Sequence, residues 1–459
     1  LARHRRTVTT RAGWILTALI AATGLLLAAW GVPAVASSAG GSAQPFGAAA
    51  ANTDARASAP GVTATSVLIG SDQPFTGSAA AGYGEIAPAS RAFFDFVNDH
   101  GGVFGRRISY NVLDDASNPA TAAADERQLV SGVGVFAYLN GFGVTEHAAI
   151  VDDLNAQGVP DLFVGSSCEC WNQPRQRPDT FGFGTDYREE GRLLGNYVAH
   201  RFPTAKIGYI WENTSPGCCQ PGVRGLDSEI PASQVVTRQP FTTDELSVDR
   251  LLPQVRTAQA AGAQVLILDT LAPSAVALAL LDAASMGYHP TILDTFRLSA
   301  DPVIVGGLLQ RFSGGKAGPA LEDGLITQDY LPSAADTHNP WISLFRQIHD
   351  TYEAKAPFDN LTVYGMAAAY EFTRALRAAG PKPTRQSIVA AVNAGRVNVG
   401  GPGLVPLDYS PLNHAGYAGE QIGVVHNGVI MLNGPAFVTH DDDPIIAVDV
   451  TTTRPPRHF

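Results

Sequence analysis

The sequence is short of charge: Asp, Glu, Lys and Arg make up 16% of its 459 residues, against about 25% in an ordinary globular chain. That shortfall excludes a charge-rich disordered protein. Basic residues are the scarcer sign, 31 Lys and Arg against 42 Asp and Glu, for a formal net charge of -11. Such a balance does not favour a phosphate backbone, so nucleic acid is not expected as a partner. Enzyme signatures are missing as well. There is no G-x-S-x-G elbow, no H-E-x-x-H pair and no Walker loop, because Gly315-Lys316 lacks both the earlier Gly and the following Ser or Thr. The His residues are scattered and suit surface or capping positions.

Two glycine patterns remain. Gly132-x-Gly134-x-x-Ala137 follows a helix and enters a strand, the reverse of what a pyrophosphate needs. Gly141-Phe142-Gly143 sits between a strand and a helix, but Glu146 holds the third glycine position. What survives is a helix N-terminus with free N–H groups, suited to a carboxylate. Asp114-Asp115, ahead of Ser117-Asn118-Pro119, reads as a closed turn and a helix cap rather than an acid–base pair. The run Asp441, Asp442, Asp443 reads as solvated.

The N-terminus carries an export signal. Arg3, Arg5, Arg6 and Arg11 accompany an apolar run over 14–30, and Ala34-Val35-Ala36 supplies the small residues a signal peptidase reads. The alternative is an uncleaved membrane anchor, since 14–36 could reach across a bilayer of about 30 Å. No Cys follows the run, so no lipidated terminus is expected. Residues 37–61, rich in Ala, Ser and Gly, read as a flexible linker.

From Val62 onward, strands expected at 66–70, 108–113, 135–139 and 161–165 alternate with helices. The rhythm resumes with strands at 207–211, 235–238, 264–269 and 291–293. Ile86, Ser90, Phe93, Phe94 and Val97 share one helical face closed by Gly101-Gly102, and Asn118 caps a helix that Pro119 opens. Alternation of this kind gives α/β parallel sheets covered on both faces, and two runs give two doubly wound lobes. Right-handed crossovers then bring the strand-to-helix loops to the carboxyl edge of each sheet, where open α/β folds bind ligands.

Cys168, Cys170, Cys218 and Cys219 lie in loops after strands, one pair per lobe. In an exported chain they read as disulfides, and bonds between the two loops are expected because neither C-x-C nor C-C closes easily on itself. A thiolate site for zinc or copper(I) is the alternative, although these are not zinc-ribbon spacings. Trp171, Trp211 and Tyr187 flank the same loops, either gripping a ligand or packing a core.

Phe75-Thr76-Gly77, Tyr83-Gly84, Asn98-Asp99-His100-Gly101-Gly102-Val103-Phe104-Gly105 and Asp114-Asp115-Ala116-Ser117-Asn118-Pro119, in that order, resemble the leucine/isoleucine/valine-binding protein family. These are the type I solute-binding receptors of branched-chain amino-acid ABC transporters. The likeness covers most of 62–435. It implies a clamshell of two doubly wound lobes joined by a three-crossover hinge. The division is a signal peptide over 1–36, a linker over 37–61, lobe one over 62–186 plus 331–415, lobe two over 187–330 plus 416–438, and a tail over 439–459.

The resemblance further implies an exported, non-enzymatic monomer without cofactor or metal. Such a protein would deliver a small organic ligand (amino acid, amide or small carboxylate) to an ABC transporter permease in the membrane. A ligand sensor of the same fold, or a metal-binding protein centred on the Cys residues, is the alternative. The family holds the ligand's carboxylate and amino group largely from lobe one, here at Phe142, Gly143, Val144, Thr145, Gly165, Ser166 and Ser167, with Tyr83 as a wall. Asn213, Leu271 and Phe296 face them from lobe two.

Two departures stand out. The family's acid opposite the ligand ammonium falls at Phe296, with Asp294 and Arg297 nearby, and its aromatic positions fall at Leu271 and near Pro216-Gly217. A buried ammonium would be left unpaired, at a cost of several kcal/mol. A neutral or acidic small molecule is therefore expected as readily as a branched-chain amino acid.

Overall fold

The computed structural model describes residues 58–213, 219–242 and 251–457. The signal expected over 1–36, most of the linker, Pro216-Gly217 and Cys218 lie outside the described residues.

Five strands, β1 (Ser66–Gln73), β2 (Arg107–Asp114), β3 (Tyr138–Leu139), β4 (Asp161–Val164) and β5 (Thr180–Gly182), form a parallel sheet in the order β2-β1-β3-β4-β5. A second sheet repeats that order with β6 (Ile207–Glu212), β7 (Val235–Phe241), β8 (Val265–Asp269), β9 (Thr291–Asp294) and β10 (Ile326–Asp329), arranged β7-β6-β8-β9-β10. Antiparallel β11 (Gly419–His426), β12 (Val429–Val438) and β13 (Ile446–Val448) extend it beyond β10. Central strands such as Val-Leu-Ile-Leu-Asp in β8 are buried at every position, as a sheet covered on both faces requires. Each order reverses direction beside its first strand, and such a switch point opens a crevice at the carboxyl edge.

The helical face read from the sequence is the one that packs. Ile86, Ser90, Phe93, Phe94 and Val97 are all buried on helix Ile86–Asp99. Phe93 meets Tyr370 edge-on at 5.9 Å and Phe94 meets Phe372 at 6.0 Å, both on helix Asn360–Ala378. Each such ring contributes about 1.5–3 kcal/mol by burial. Gly365 lets the two helices touch, since a Cβ there would lie 2.3 Å from the Ile86 carbonyl oxygen, and Ser90 Oγ donates to the Gly365 carbonyl at 2.8 Å. Helix Asn360–Ala378 thus belongs with the first sheet although it follows β10 in sequence. The chain therefore passes from the first sheet to the second after β5, back after β10, and over again at β11.

The C-terminal segment is more ordered than its composition suggested. β13 pairs with β12, and Trp341 Nε1 donates to Thr453 Oγ1 at 2.9 Å. Asp441, Asp442 and Asp443 are not simply solvated. Arg192 donates to the carbonyls of Asp441 (2.6 Å) and Asp443 (3.0 Å), and Arg188 pairs with the Asp442 carboxylate.

Candidate functional site

A cavity of about 580 Å³ opens between the carboxyl edges of the two sheets. Loops after β1, β2, β3 and β4 supply one wall; the other comes from the end of β6, the loops after β8 and β9, and the last turn of helix Pro302–Phe312. Tyr83, Phe142, Gly143, Val144, Thr145, Gly165, Ser166, Leu271 and Phe296 all line it. Ser167 and Asn213 do not. Alternation along the chain turns Ser167 away from Ser166, and its Oγ donates to Glu190 Oε1 at 3.2 Å. The backbone N–H of Asn213 donates to the Phe241 carbonyl at 2.7 Å, continuing the pairing of β6 with β7.

The lobe-one loops are shaped by glycine. Gly143 begins helix Val144–Ala148 at φ 91°, ψ 156°, a conformation that favours glycine. A Cβ there would lie 2.4 Å from Glu146 Oε2, so the Glu146 carboxylate folds back over the helix start. Thr145 Oγ1 donates to that same oxygen at 2.8 Å. Ser166 Oγ accepts from Trp171 Nε1 at 2.9 Å and donates to the Gly143 carbonyl at 3.3 Å. The hydroxyls expected to receive a ligand carboxylate are already engaged within the chain. Trp171 is buried against His147, ring centroids 4.9 Å apart, and so packs the core. Trp211 packs on the second lobe's core, while Tyr187 lines the cavity.

Contacts cross the cleft. Tyr83 Oη donates to the Leu271 carbonyl at 2.5 Å, and burial keeps the phenol well above its usual pKa, hence a donor. Along each wall, the Tyr83 ring lies 4.7 Å from Phe142, and Tyr187 lies 6.2 Å from Phe296. Asp301 Oδ2 accepts from the Asn360 backbone N–H at 3.1 Å and from its Nδ2 at 2.8 Å.

Sequence reasoning missed Glu212, Asp269 and Asp329 and noted Asp294 only as a neighbour of Phe296. β6, β8, β9 and β10 end in Glu212, Asp269, Asp294 and Asp329. Asp329 has a cation, Arg297, at 2.6 Å. Asp269 accepts from Thr295 Oγ1 at 2.8 Å, and burial pushes its carboxyl up to about 7. Asp294 accepts from Ser299 Oγ and is driven well above the carboxylate range by burial. Glu212, 4% exposed and on the cavity wall, accepts from Thr270 Oγ1 and the Leu271 N–H, both at 3.0 Å. Asp114 and Asp115 do close the expected turn, accepting from Ala116 N–H (3.0 Å) and Ser117 N–H (2.6 Å). Asp115 also lines the cavity, and burial, reinforced by the Glu146 carboxylate, holds it up to about 7. A final acid at the carboxyl end of successive strands was the readable signal.

The expected bonds between the two Cys loops are corrected. Cys168 and Cys170 join each other, because the single turn Glu169–Trp171 brings their Cα atoms to 5.1 Å, within the bridging range. Cys219 is buried and disulfide-bonded; Cys218 lies outside the described residues.

Residues 66–417 match the model of a family described as periplasmic binding protein. The chain is 26% identical over 322 residues, 68% of its length and 79% of the relative's, to Leu/Ile/Val-binding protein homolog 1 of Brucella suis biovar 1 (strain 1330). Two solved structures share the fold. A fatty acid ABC transporter substrate-binding protein from Thermomonospora curvata superposes with a TM-score of 0.68 at 20% identity, covering 83% of this chain and 94% of that one. A branched chain amino acid ABC transporter structure from Thermus thermophilus with bound valine gives 0.67 at 18% identity, covering 82% and 98%.

Proposed function

Because the chain belongs to the periplasmic binding protein family, we propose that it is an exported receptor that captures a small organic ligand between its lobes and delivers it to an ABC transporter permease. Members of that family are extracytoplasmic solute-binding proteins rather than enzymes. Among the described residues no helix is long and apolar enough to cross a membrane.

The cavity between the sheet edges carries this reading. Its volume of about 580 Å³ falls within the range of small-molecule sites, about 300–1,000 Å³. It is bridged by the Tyr83–Leu271 hydrogen bond, and the lobes are tied again outside it by Asn360 and Asp301; both bonds require the lobes to meet. A ligand touching both walls would favour that closed arrangement, the differential contact that hinge closure requires.

Thermal unfolding of the purified chain against amino acids, amides, carboxylates, amines and short-chain fatty acids tests the proposal. A ligand at about a hundred times its Kd adds roughly 2.7 kcal/mol and raises Tm by several degrees. No stabilisation by any class counts against a receptor.

A further inference from the structure

Resting on the receptor reading, we infer that the ligand is an organic cation, an apolar or aromatic body carrying a protonated amine and no carboxylate beside it. The cavity wall holds three carboxyl groups, Asp115, Glu146 and Glu212, from both lobes. Arg311, the basic side chain among the described lining residues, is solvent-exposed at the end of helix Pro302–Phe312. Behind Glu212, Asp269 and Asp294 terminate the adjacent strands with hydroxyls, Thr295 and Ser299, among their partners.

Unmet polar capacity reaches the wall itself. Asp115 lines the cavity and is 1% exposed, yet its Oδ2 has no hydrogen-bond partner in the chain. Buried polar atoms of this kind are rarely left unmatched. A guest that brings N–H donors supplies what this oxygen lacks.

The place where a carboxylate would dock is closed to one. Thr145 Oγ1 points its proton at Glu146 Oε2, and Ser166 Oγ is tied to Trp171 and Gly143. An incoming carboxylate would meet the Glu146 side-chain oxygens at the start of helix Val144–Ala148. Phe142, Tyr187, Phe296 and Phe312 supply the apolar lining, and aromatic faces attract cations as well.

Calorimetric titration with compounds of one body and different charge tests the inference: phenethylamine, phenylacetamide, phenylacetate and phenylalanine, together with the corresponding isoamyl set. The amine is expected to bind at least about tenfold more tightly than its amide, with no measurable binding of the carboxylate. Glu212→Gln keeps the side-chain shape and a carbonyl to accept from Thr270 and Leu271, and circular dichroism checks that it folds. It is expected to weaken amine binding about thirtyfold or more while leaving the amide within about twofold. Glu146→Gln, which removes the negative charge at the helix start, is expected to let the carboxylate bind measurably. Equal or tighter binding of the carboxylate or zwitterion, or an unchanged amine affinity in Glu212→Gln, overturns the inference. If the amines fail while an anion or zwitterion from the broader thermal panel binds, the cation inference falls and the receptor reading stands; if nothing binds in either, both fall.

Discussion

Tyr83 and Leu271 meet across the cavity, the phenol hydroxyl of one donating to the backbone carbonyl of the other at 2.5 Å. One belongs to the segment after β1 and the other to the loop after β8, so the bond ties one sheet edge to the other. Because Tyr83 also packs against Phe142 on the cavity wall, their rings tilted at 38°, closure and binding share a side chain.

Tyr83→Phe keeps the ring and removes that bond. A net hydrogen-bond contribution of about 0.5–1.5 kcal/mol predicts a two- to tenfold weaker ligand affinity, mostly as faster release. Stopped-flow dissociation checks this; an unchanged release rate would detach Tyr83 from closure.

Asp301 has two roles. Its Oδ1 caps helix Pro302–Phe312 by accepting from Val303 and Ile304 N–H groups, and its Oδ2 holds Asn360. Asp301→Ala removes the cap and strands buried Asn360 donors, for an expected loss of about 2–4 kcal/mol. Urea unfolding reads the loss, and a change below 0.5 kcal/mol would contradict the bridging role.

Stability is expected to fall as pH rises toward neutrality. Asp72, Asp115 and Asp269 are held by burial up to about 7 in the folded chain against an ordinary 3.8. Between those values the folded state binds more protons than the unfolded one, so its stability is greatest at the acid end and is lost as pH climbs through 7. His414, pushed down by burial from 6.5 to about 4, works in the opposite direction over its narrower window. The three carboxyls outweigh it. Urea midpoints at pH 5 and pH 8 decide the matter: a higher midpoint at pH 8 would show that these acids are ionised in the fold.

The Cys168–Cys170 bond closes a loop of three residues on one lobe. Replacing both by Ser is expected to cost only about 1–2 kcal/mol by loop-entropy reasoning. It should also leave the lobes free to open as before. Peptide mapping under non-reducing conditions checks the pairing, and a cross-link joining the 168–170 peptide to the one containing Cys219 would refute it.

The eight strands read from sequence are those with Val- and Ile-rich runs between glycine or proline stops, and all eight are present. β10, with the polar end Thr-Gln-Asp, and β13, largely exposed, carry no such pattern; pairing with their neighbours makes them strands. Cavity-lining loops could be located because a strand-to-helix order fixes where loops emerge. Side-chain direction could not. Ser166 and Ser167 differ by one position and face different partners. Glu212 escaped notice because its importance lies in burial at the edge of a sheet, which residue identity alone does not reveal. The Cys pairing turned on one 3-10 turn, again a local geometry rather than a spacing.

The direct measurement is a calorimetric titration of the chain with whichever compound gives the largest thermal shift, beside Leu271→Trp, which fills the cavity from the lobe-two wall. One molecule bound per chain, and none bound by a Leu271→Trp variant with unaltered circular dichroism, is the result expected of a ligand held between the lobes. Undiminished binding by that variant, or more than one equivalent site, would place the ligand elsewhere and contradict the clamshell.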